Sequence, residues 1–328
     1  MSEQEPVRDV AQLGHVEMLS PRPADTVWFF TEILGLQEVR KEGQSSYLRA
    51  YEDPYEYTLK VTEARQPGLG HGSWRVASEA ALQRRADALS SSGLGRGWND
   101  GDYGHGPGFA FGTPDGHNME LFWDVQYFEA PAETRTALLN RPQRRPNRGV
   151  PVRRIDHLNL FTSHIEEDTE FYCRDLGFKL REVIVGDDDN SLKASWLAVT
   201  ALSHDLAIMP DAAGASGRLH HVAYWYGTPQ HLYDVADLMR DAGVVIEAGP
   251  GKHGISQAMY MYVYEPGGNR VELFGDAGYL DFDPQPRTIT WKWSEVPGRG
   301  DVWVGAALPD VFWTYATPAV EAPSPVAV

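Results

Sequence analysis

Two stretches decide the fold when one is set above the other: Leu13-Gly14-His15-Val16-Glu17-Met18-Leu19 and Ile155-Asp156-His157-Leu158-Asn159-Leu160-Phe161. Both are largely apolar, both read as strands, and both carry a histidine at the third position. Continued without a gap, Phe29-Phe30 falls on Phe171-Tyr172 and Leu34-Gly35-Leu36 on Leu176-Gly177-Phe178. A second ungapped block sets His71 on His221, Asp87 on Asp237, Leu89 on Met239 and Gly93 on Gly243. A third sets Pro114-Asp115-Gly116-His117-Asn118-Met119-Glu120-Leu121-Phe122 on Pro266-Gly267-Gly268-Asn269-Arg270-Val271-Glu272-Leu273-Phe274. Three blocks in the same order, separated by two small insertions, mark a duplicated domain.

Each half is itself doubled. A strand carrying a histidine leads into a helix that ends at a glycine, and short strands follow. Helical spacing over 25–34, 79–92, 168–176 and 229–242 closes each time at Gly35, Gly93, Gly177 or Gly243, the residue suited to a left-handed cap. Ser195–Thr200, Leu206–Met209 and Met259–Tyr264 read as strands. The pattern predicts an α+β fold of four βαβββ modules paired into two similar domains. Residues 1–128 form the N-terminal domain and 155–278 the C-terminal domain. Between them, 129–154 is a connector stiffened by Pro131, Pro142, Pro146 and Pro151. The tail, 279–328, holds Trp291, Trp293, Trp303 and Trp313, four of ten tryptophans, and so is too aromatic to be a plain disordered end. Only its last stretch, Pro318–Val328, is expected to be disordered.

A length of 328 residues suits two such domains. Forty-six acidic residues against 29 lysines and arginines give a formal net charge of −17, which repels phosphate backbones and anionic lipid, so neither nucleic acid nor membrane is an expected partner. Cys173 is the single cysteine, which excludes an intrachain disulfide or a cysteine-ligated cluster; a buried, inert thiol is expected. The start is polar and no long apolar run follows, so the expected location is the cytoplasm.

In the second half, His157, His221 and Glu272 fall on the three aligned blocks. Two imidazoles and one carboxylate that leave positions open are the ligand set of non-haem Fe(II) oxygenases. Strand alternation turns Asn159 to the same face as His157, and places His220 opposite to His221. His15, His71 and Glu120 match the same blocks, so spacing leaves open which half works, and a histidine in an apolar strand is as readily a packed core residue. The neighbours assign the chemistry to the second half. It has His204 where the first half has Glu56, and Tyr262 where the first half has Ala110; His253 is roughly matched by His105. Extra histidine and tyrosine around a ligand set can move protons.

The stretches Ile155-Asp156-His157-Leu158-Asn159, Arg218-Leu219-His220-His221-Val222-Ala223, Gly249-Pro250-Gly251-Lys252-His253-Gly254 and Gly268-Asn269-Arg270-Val271-Glu272-Leu273-Phe274 together resemble the type I extradiol catecholic dioxygenases of the vicinal oxygen chelate superfamily. The resemblance runs from about residue 10 to 315 and is nearest to catechol 2,3-dioxygenases, with homoprotocatechuate 2,3-dioxygenases next. It implies Fe(II), or Mn(II), held by His157, His221 and Glu272. It also implies O2-dependent opening of a catechol beside its two hydroxyls, to a 2-hydroxymuconic semialdehyde-type product. His204 would act as acid–base near O2, His253 and Tyr262 would bond the substrate oxygens and move a proton, and Asn159 and Trp196 would stand near the oxygen and the ring. A homotetramer and a tail that covers the site are further implications. One departure bears on substrate. Where homoprotocatechuate enzymes use arginines for a side-chain carboxylate, this chain has Ala248, and in the tail only Arg299, so an uncharged catechol is expected. The alternatives are a homoprotocatechuate dioxygenase or, from another class, a metal-dependent glyoxalase-like isomerase or an antibiotic-binding protein.

Overall fold

The computed structural model describes residues 7–320. Four modules follow one another, each a strand, a helix and three more strands. The first is β1 (Val10–Ser20), α1 (Pro23–Trp28), β2 (Gln37–Glu42), β3 (Ser45–Arg49) and β4 (Leu59–Glu63). The second is β5 (Gly68–Val76), α2 (Glu79–Ser92), β6 (Gly95–Asn99), β7 (Gly108–Gly112) and β8 (Asn118–Phe122). The third is β9 (Arg154–Thr162), α3 (Ile165–Arg174), β10 (Lys179–Val185), β11 (Leu192–Ala198) and β12 (Leu206–Pro210). The fourth is β13 (Arg218–Trp225), α4 (Gln230–Asp241), β14 (Ile246–Lys252), β15 (Met259–Tyr264) and β16 (Arg270–Phe274). The α+β expectation and the module pattern are therefore met.

The glycines expected after the helices, Gly35, Gly93, Gly177 and Gly243, carry φ of 66°, 79°, 78° and 71°. At Gly93 the turn follows a helix that Ser78 opens by accepting the Ala81 N–H at 3.1 Å. Strand β11 starts earlier than its sequence pattern suggested and stops at Ala198, because the Val199 and Thr200 N–H groups turn onto the Asp205 carboxylate at 2.8 and 2.9 Å.

Modules pair through their first strands. The order is β2-β3-β4-β1-β5-β8-β7-β6 in one sheet and β14-β15-β16-β13-β9-β12-β11-β10 in the other, which β17 (Ile289–Lys292) extends. Strand β17 was not foreseen. It lies parallel to β10, held there by the Trp291 indole N–H donating to the buried Glu182 carboxylate at 2.7 Å. The apolar faces merge into one core that runs through both sheets, including Trp74, Leu158, Val222 and Met239.

Buried polar contacts join the halves. Asp115 accepts from the Ser163 N–H at 2.9 Å and the Gly217 N–H at 2.9 Å, and His117 Nε2 lies 2.9 Å from the Phe161 carbonyl. Residues 129–153 contain turns but no helix or strand. A short helix, α5 (Asp310–Thr314), ends the tail. The expectation of disorder from Pro318 on is corrected at its first residue: the Pro318 carbonyl accepts from Arg218 Nε at 2.9 Å, and Thr317 pairs with Leu219. Residues 321–328 lie outside the described residues. No described helix is long and apolar enough to cross a membrane.

Candidate metal centre

Strands β16, β13 and β9 are consecutive in the second sheet, and each delivers one residue to the same point. His157 Nε2 and His221 Nε2 are 3.2 Å apart, and Glu272 Oε2 lies 2.9 Å from the first and 3.0 Å from the second. All three are buried, at 1% exposure each. The Glu272 Oε1 atom is buried without a hydrogen-bond donor, with His253 Nε2 3.6 Å away. Three converging ligand atoms and an unsatisfied carboxylate oxygen suit a divalent cation, and these residues fit one.

Both imidazoles are turned toward that point by bonds at their far nitrogens. His157 Nδ1–H donates to Asp156 at 3.0 Å, and Asp156 is itself paired with Arg154 at 2.9 Å. His221 Nδ1 meets His220 Nδ1 at 2.7 Å, and His220 Nε2 meets the Phe312 carbonyl at 2.9 Å. A carbonyl only accepts, so His220 carries its hydrogen on Nε2, its Nδ1 accepts from His221, and His221 Nε2 keeps its lone pair for a metal.

This arrangement corrects the placement of His220 on the opposite face. A register irregularity between Leu219 and His221 breaks the alternation, and the His220 ring stacks on Phe161 at 4.6 Å. The adjacent histidine pair was visible in sequence; its role depended on the bulge. Asp156 was likewise visible, directly before His157. The Phe312 carbonyl has no side-chain signature at all.

The other expected residues surround this centre. The His204 ring lies 4.1 Å from that of His157, with Ser203 Oγ 3.2 Å from its Nδ1. Burial, followed by the charge on His157, holds His204 well below the usual imidazole range. Tyr262 stands opposite Glu272 on β15, and its O–H lies 3.0 Å from His253 Nε2. Burial first, then the neighbouring Glu272 charge, pushes the Tyr262 phenol well above its ordinary value, so it remains a donor. His253 Nδ1–H donates to the Asp301 carbonyl, which leaves Nε2 as the acceptor. Tyr260, which shares the parity of Tyr262, stacks face to face on His253 at 3.8 Å. Asn159 and Trp196 line the same cavity, as do Ile184, Val296, Leu308, Phe312 and Trp313. Arg299 does not line it. It belongs to a separate surface cleft with Lys252 and Trp303, and its exposed guanidinium is 3.7 Å from Glu295. Cys173 is partly buried, which pushes its thiol up to about 11.

One pairing of the halves needs correction. Val16 pairs with Leu59 as Leu158 pairs with Leu206, so the counterpart of His204 is Tyr57 and not Glu56. The Tyr57 ring packs 4.8 Å from His15, whereas Glu56 accepts from the Tyr103 hydroxyl at 2.6 Å.

The family model of the glyoxalase/bleomycin resistance protein/dioxygenase superfamily matches residues 154–273. Metapyrocatechase of Geobacillus stearothermophilus is 54% identical over 315 residues, covering 96% of this chain and 96% of that protein. The chain belongs to the extradiol dioxygenases. The manganese-dependent 2,3-dihydroxybiphenyl 1,2-dioxygenase of Geobacillus genomosp. 3 is 36% identical over 304 residues, covering 92% and 95%. The crystal structure of homoprotocatechuate 2,3-dioxygenase from Arthrobacter globiformis superposes with a TM-score of 0.83 at 25% identity, covering 98% of this chain and 96% of that one. As an extradiol dioxygenase the chain is a metal-dependent, ring-cleaving enzyme.

Proposed function

We propose that this extradiol dioxygenase opens catechol, or an uncharged alkyl- or aryl-substituted catechol, beside its hydroxyls, giving a 2-hydroxymuconic semialdehyde-type product. The observation that carries this reading is the cavity above His157, His221 and Glu272. Its walls are apolar and aromatic, and no lysine or arginine lines it. A substrate carboxylate would be buried there without a paired cation, at a cost of several kcal/mol. That argues against a homoprotocatechuate-type substrate.

The three residues would hold Fe(II). Bound there, the iron supplies the charge that acidifies the diol and the redox couple that lets O2 react with the ring. The chain's own groups do the rest. His253, whose Nε2 is left as an acceptor by the Asp301 carbonyl, receives a proton from a diol hydroxyl. Tyr262, held protonated by burial, donates a hydrogen bond to the same oxygen. His204, neutral and on the far side of His157, holds and returns the proton on the oxygen side. Trp196 forms the wall beside the ring, and Asn159 stands with its Oδ1 unpaired at the cavity surface. Residues 155–278 act as the catalytic domain and 1–128 as its non-catalytic twin, joined by 129–154. The described part of the tail, 279–320, is the cover that excludes water, through Val296, Leu308, Phe312 and Trp313.

The test uses protein loaded with Fe(II) without oxygen, mixed with catechol and then exposed to air. One O2 consumed per catechol, with a yellow ring-opened product, is expected, and 3,4-dihydroxyphenylacetate should react far more slowly. Uptake of O2 without the yellow product would refute the ring-opening assignment, and preference for the carboxylated diol would refute the reading of the cavity. Mn(II) is the second reading of the metal, favoured by the manganese-dependent relative. It predicts higher activity after Mn(II) loading than after Fe(II) loading.

A further inference from the structure

The first half keeps a constellation that ring cleavage does not use. His15, on β1, and Glu120, on β8, occupy the places that His157 and Glu272 hold in the second half, and His105 occupies that of His253. The ligand atoms of His15, His105 and Glu120 all lie within 4.8 Å of one another. His15 Nε2 is 3.8 Å and His105 Nε2 3.9 Å from Glu120 Oε2, and His71 Nε2 is 3.0 Å from His15 Nε2. Two metal-bound nitrogens at ordinary bond lengths around a tetrahedral ion sit about 3.3 Å apart, so these separations bracket what an ion would impose.

The far nitrogens of His71 and His105 are arranged as they would be for ligation. His71 Nδ1–H donates to Glu17 at 2.9 Å, and His105 Nδ1–H donates to the Gly106 carbonyl at 2.8 Å, which leaves both Nε2 atoms as acceptors. An independent sign is the Tyr57 hydroxyl. Tyr57 is 3% exposed, its ring lies against His15, and its oxygen is buried without a hydrogen-bond partner.

Two differences from the second half decide what such a site would do. Opposite Glu120 stands Ala110, where Tyr262 stands opposite Glu272, so no hydroxyl draws His105 away from the cluster as Tyr262 draws His253. The space beyond is also filled. Lys60 is tied to Asp102 at 2.6 Å and lies 3.6 Å from Glu17, and the Tyr47 hydroxyl donates to Asp102 at 2.7 Å. Three carboxylates (Glu17, Asp102, Glu120) against one ammonium (Lys60) leave a surplus of two negative charges, matching a dication. The set therefore has the charge for a metal but no room for a diol, and Glu120, which accepts from the Ser73 hydroxyl at 2.6 Å and the Asn99 amide at 2.7 Å, would share those bonds with the ion.

We propose that His15, His105 and Glu120 bind a second divalent metal ion of the Zn(II) class, with a structural rather than a catalytic role, and that His71, whose Nε2 is 3.0 Å from His15 Nε2 but stands outside the converging set, swings in as fourth ligand. Once His71 has moved in, three imidazoles and one carboxylate make a closed, four-coordinate shell of borderline donors. The ion clamps β1, β5, β8 and the loop that carries His105.

Co(II) is the probe, because its four-coordinate complexes absorb strongly in the visible. Full-length protein freed of metal is titrated with Co(II), and bound metal is counted by elemental analysis. The unmodified chain should bind two ions and His221→Ala, which disables the first centre, should still bind one, with intense visible bands. His105→Ala and Glu120→Gln should each fall to one ion, lose the intense bands and keep ring cleavage. One ion in the unmodified chain and none in His221→Ala would overturn the proposal, and so would two ions that both survive in His105→Ala and Glu120→Gln. Because the unmodified chain and His221→Ala leave the second site untouched, the proposal can be refuted even if the first-half variants fail to fold.

Discussion

Metal entry at the proposed ligands His157, His221 and Glu272 has to displace a proton. In the metal-free chain burial opposes a charge on His157, but hydrogen bonds to Asp156 and Glu272 outweigh it and raise this imidazole to about 9. His221 goes the other way, to about 4, since burial exceeds the attraction of Glu272. Burial opposes charge on Glu272 as well, yet the two histidines hold its carboxyl well below the usual range. Between pH 6 and 8 the three groups therefore hold one proton, on His157 Nε2, where the cation must go. Binding a divalent ion releases it, so the apparent affinity should rise tenfold per pH unit, about 100-fold from pH 6 to pH 8, and level off above about 9.

Mn(II), which does not oxidise in air, suits the measurement. Calorimetric titrations in buffers of different ionisation enthalpy count the released protons directly. One proton per bound metal, independent of buffer, is the expected result, and Asp156→Asn should reduce it at pH 8 by lowering His157. A pH-independent affinity with no proton released would refute the reasoning, because His157 would then be neutral. Two protons would mean that burial does not discharge His221. The same shift fixes the sign for the metal-free fold. His157 titrates higher folded than unfolded, so its contribution to stability is complete below about 6.5 and lost as pH rises through about 9.

Other substitutions separate binding from chemistry. His204→Asn should lower kcat by about 100- to 10,000-fold with metal content unchanged by elemental analysis, since no expected ligand is touched. His220→Leu should weaken metal binding by about 10- to 100-fold in equilibrium dialysis, because His221 loses the acceptor that orients it. Leu308→Arg places a cation on the cavity wall and should shift the kcat/KM ratio toward carboxylated catechols by about tenfold or more; an unchanged ratio across a substrate panel would show that Leu308 does not face the ring substituent.

The four-module fold was legible because it rests on repetition: three blocks, two histidines and a glutamate recurring in order. The convergence of His157, His221 and Glu272 was legible for the same reason, since aligned positions on first and last strands of paired modules must converge once those strands are adjacent. What stayed hidden has physical causes. The counterpart of His204 was misplaced from Tyr57 to Glu56 because the loops before β4 and β12 carry no repeated residues to fix a register. His220 was misplaced because one irregularity in a strand ladder overrides alternation. Strand β17 was missed because four residues with mixed polarity become a strand only through Glu182, over a hundred positions away, receiving the Trp291 N–H.

The tail contributes more than apolar side chains to the cavity wall. Two of its backbone carbonyls, of Phe312 and Asp301, accept from histidines in the second half, and each fixes a proton. The Phe312 carbonyl puts the hydrogen of His220 on Nε2, which makes His221 a donor at Nδ1 and leaves its Nε2 lone pair free. The Asp301 carbonyl puts the hydrogen of His253 on Nδ1, which makes Nε2 the acceptor that faces Tyr262. With the tail displaced, both imidazoles would lose the partner that selects their tautomer. On the proposed roles, the tail would thus set metal affinity and proton acceptance together with water exclusion. A backbone carbonyl serves this purpose without depending on side-chain identity, so the tail sequence can vary in its apolar residues, and with them the shape offered to the substrate ring, while the two tautomers stay fixed.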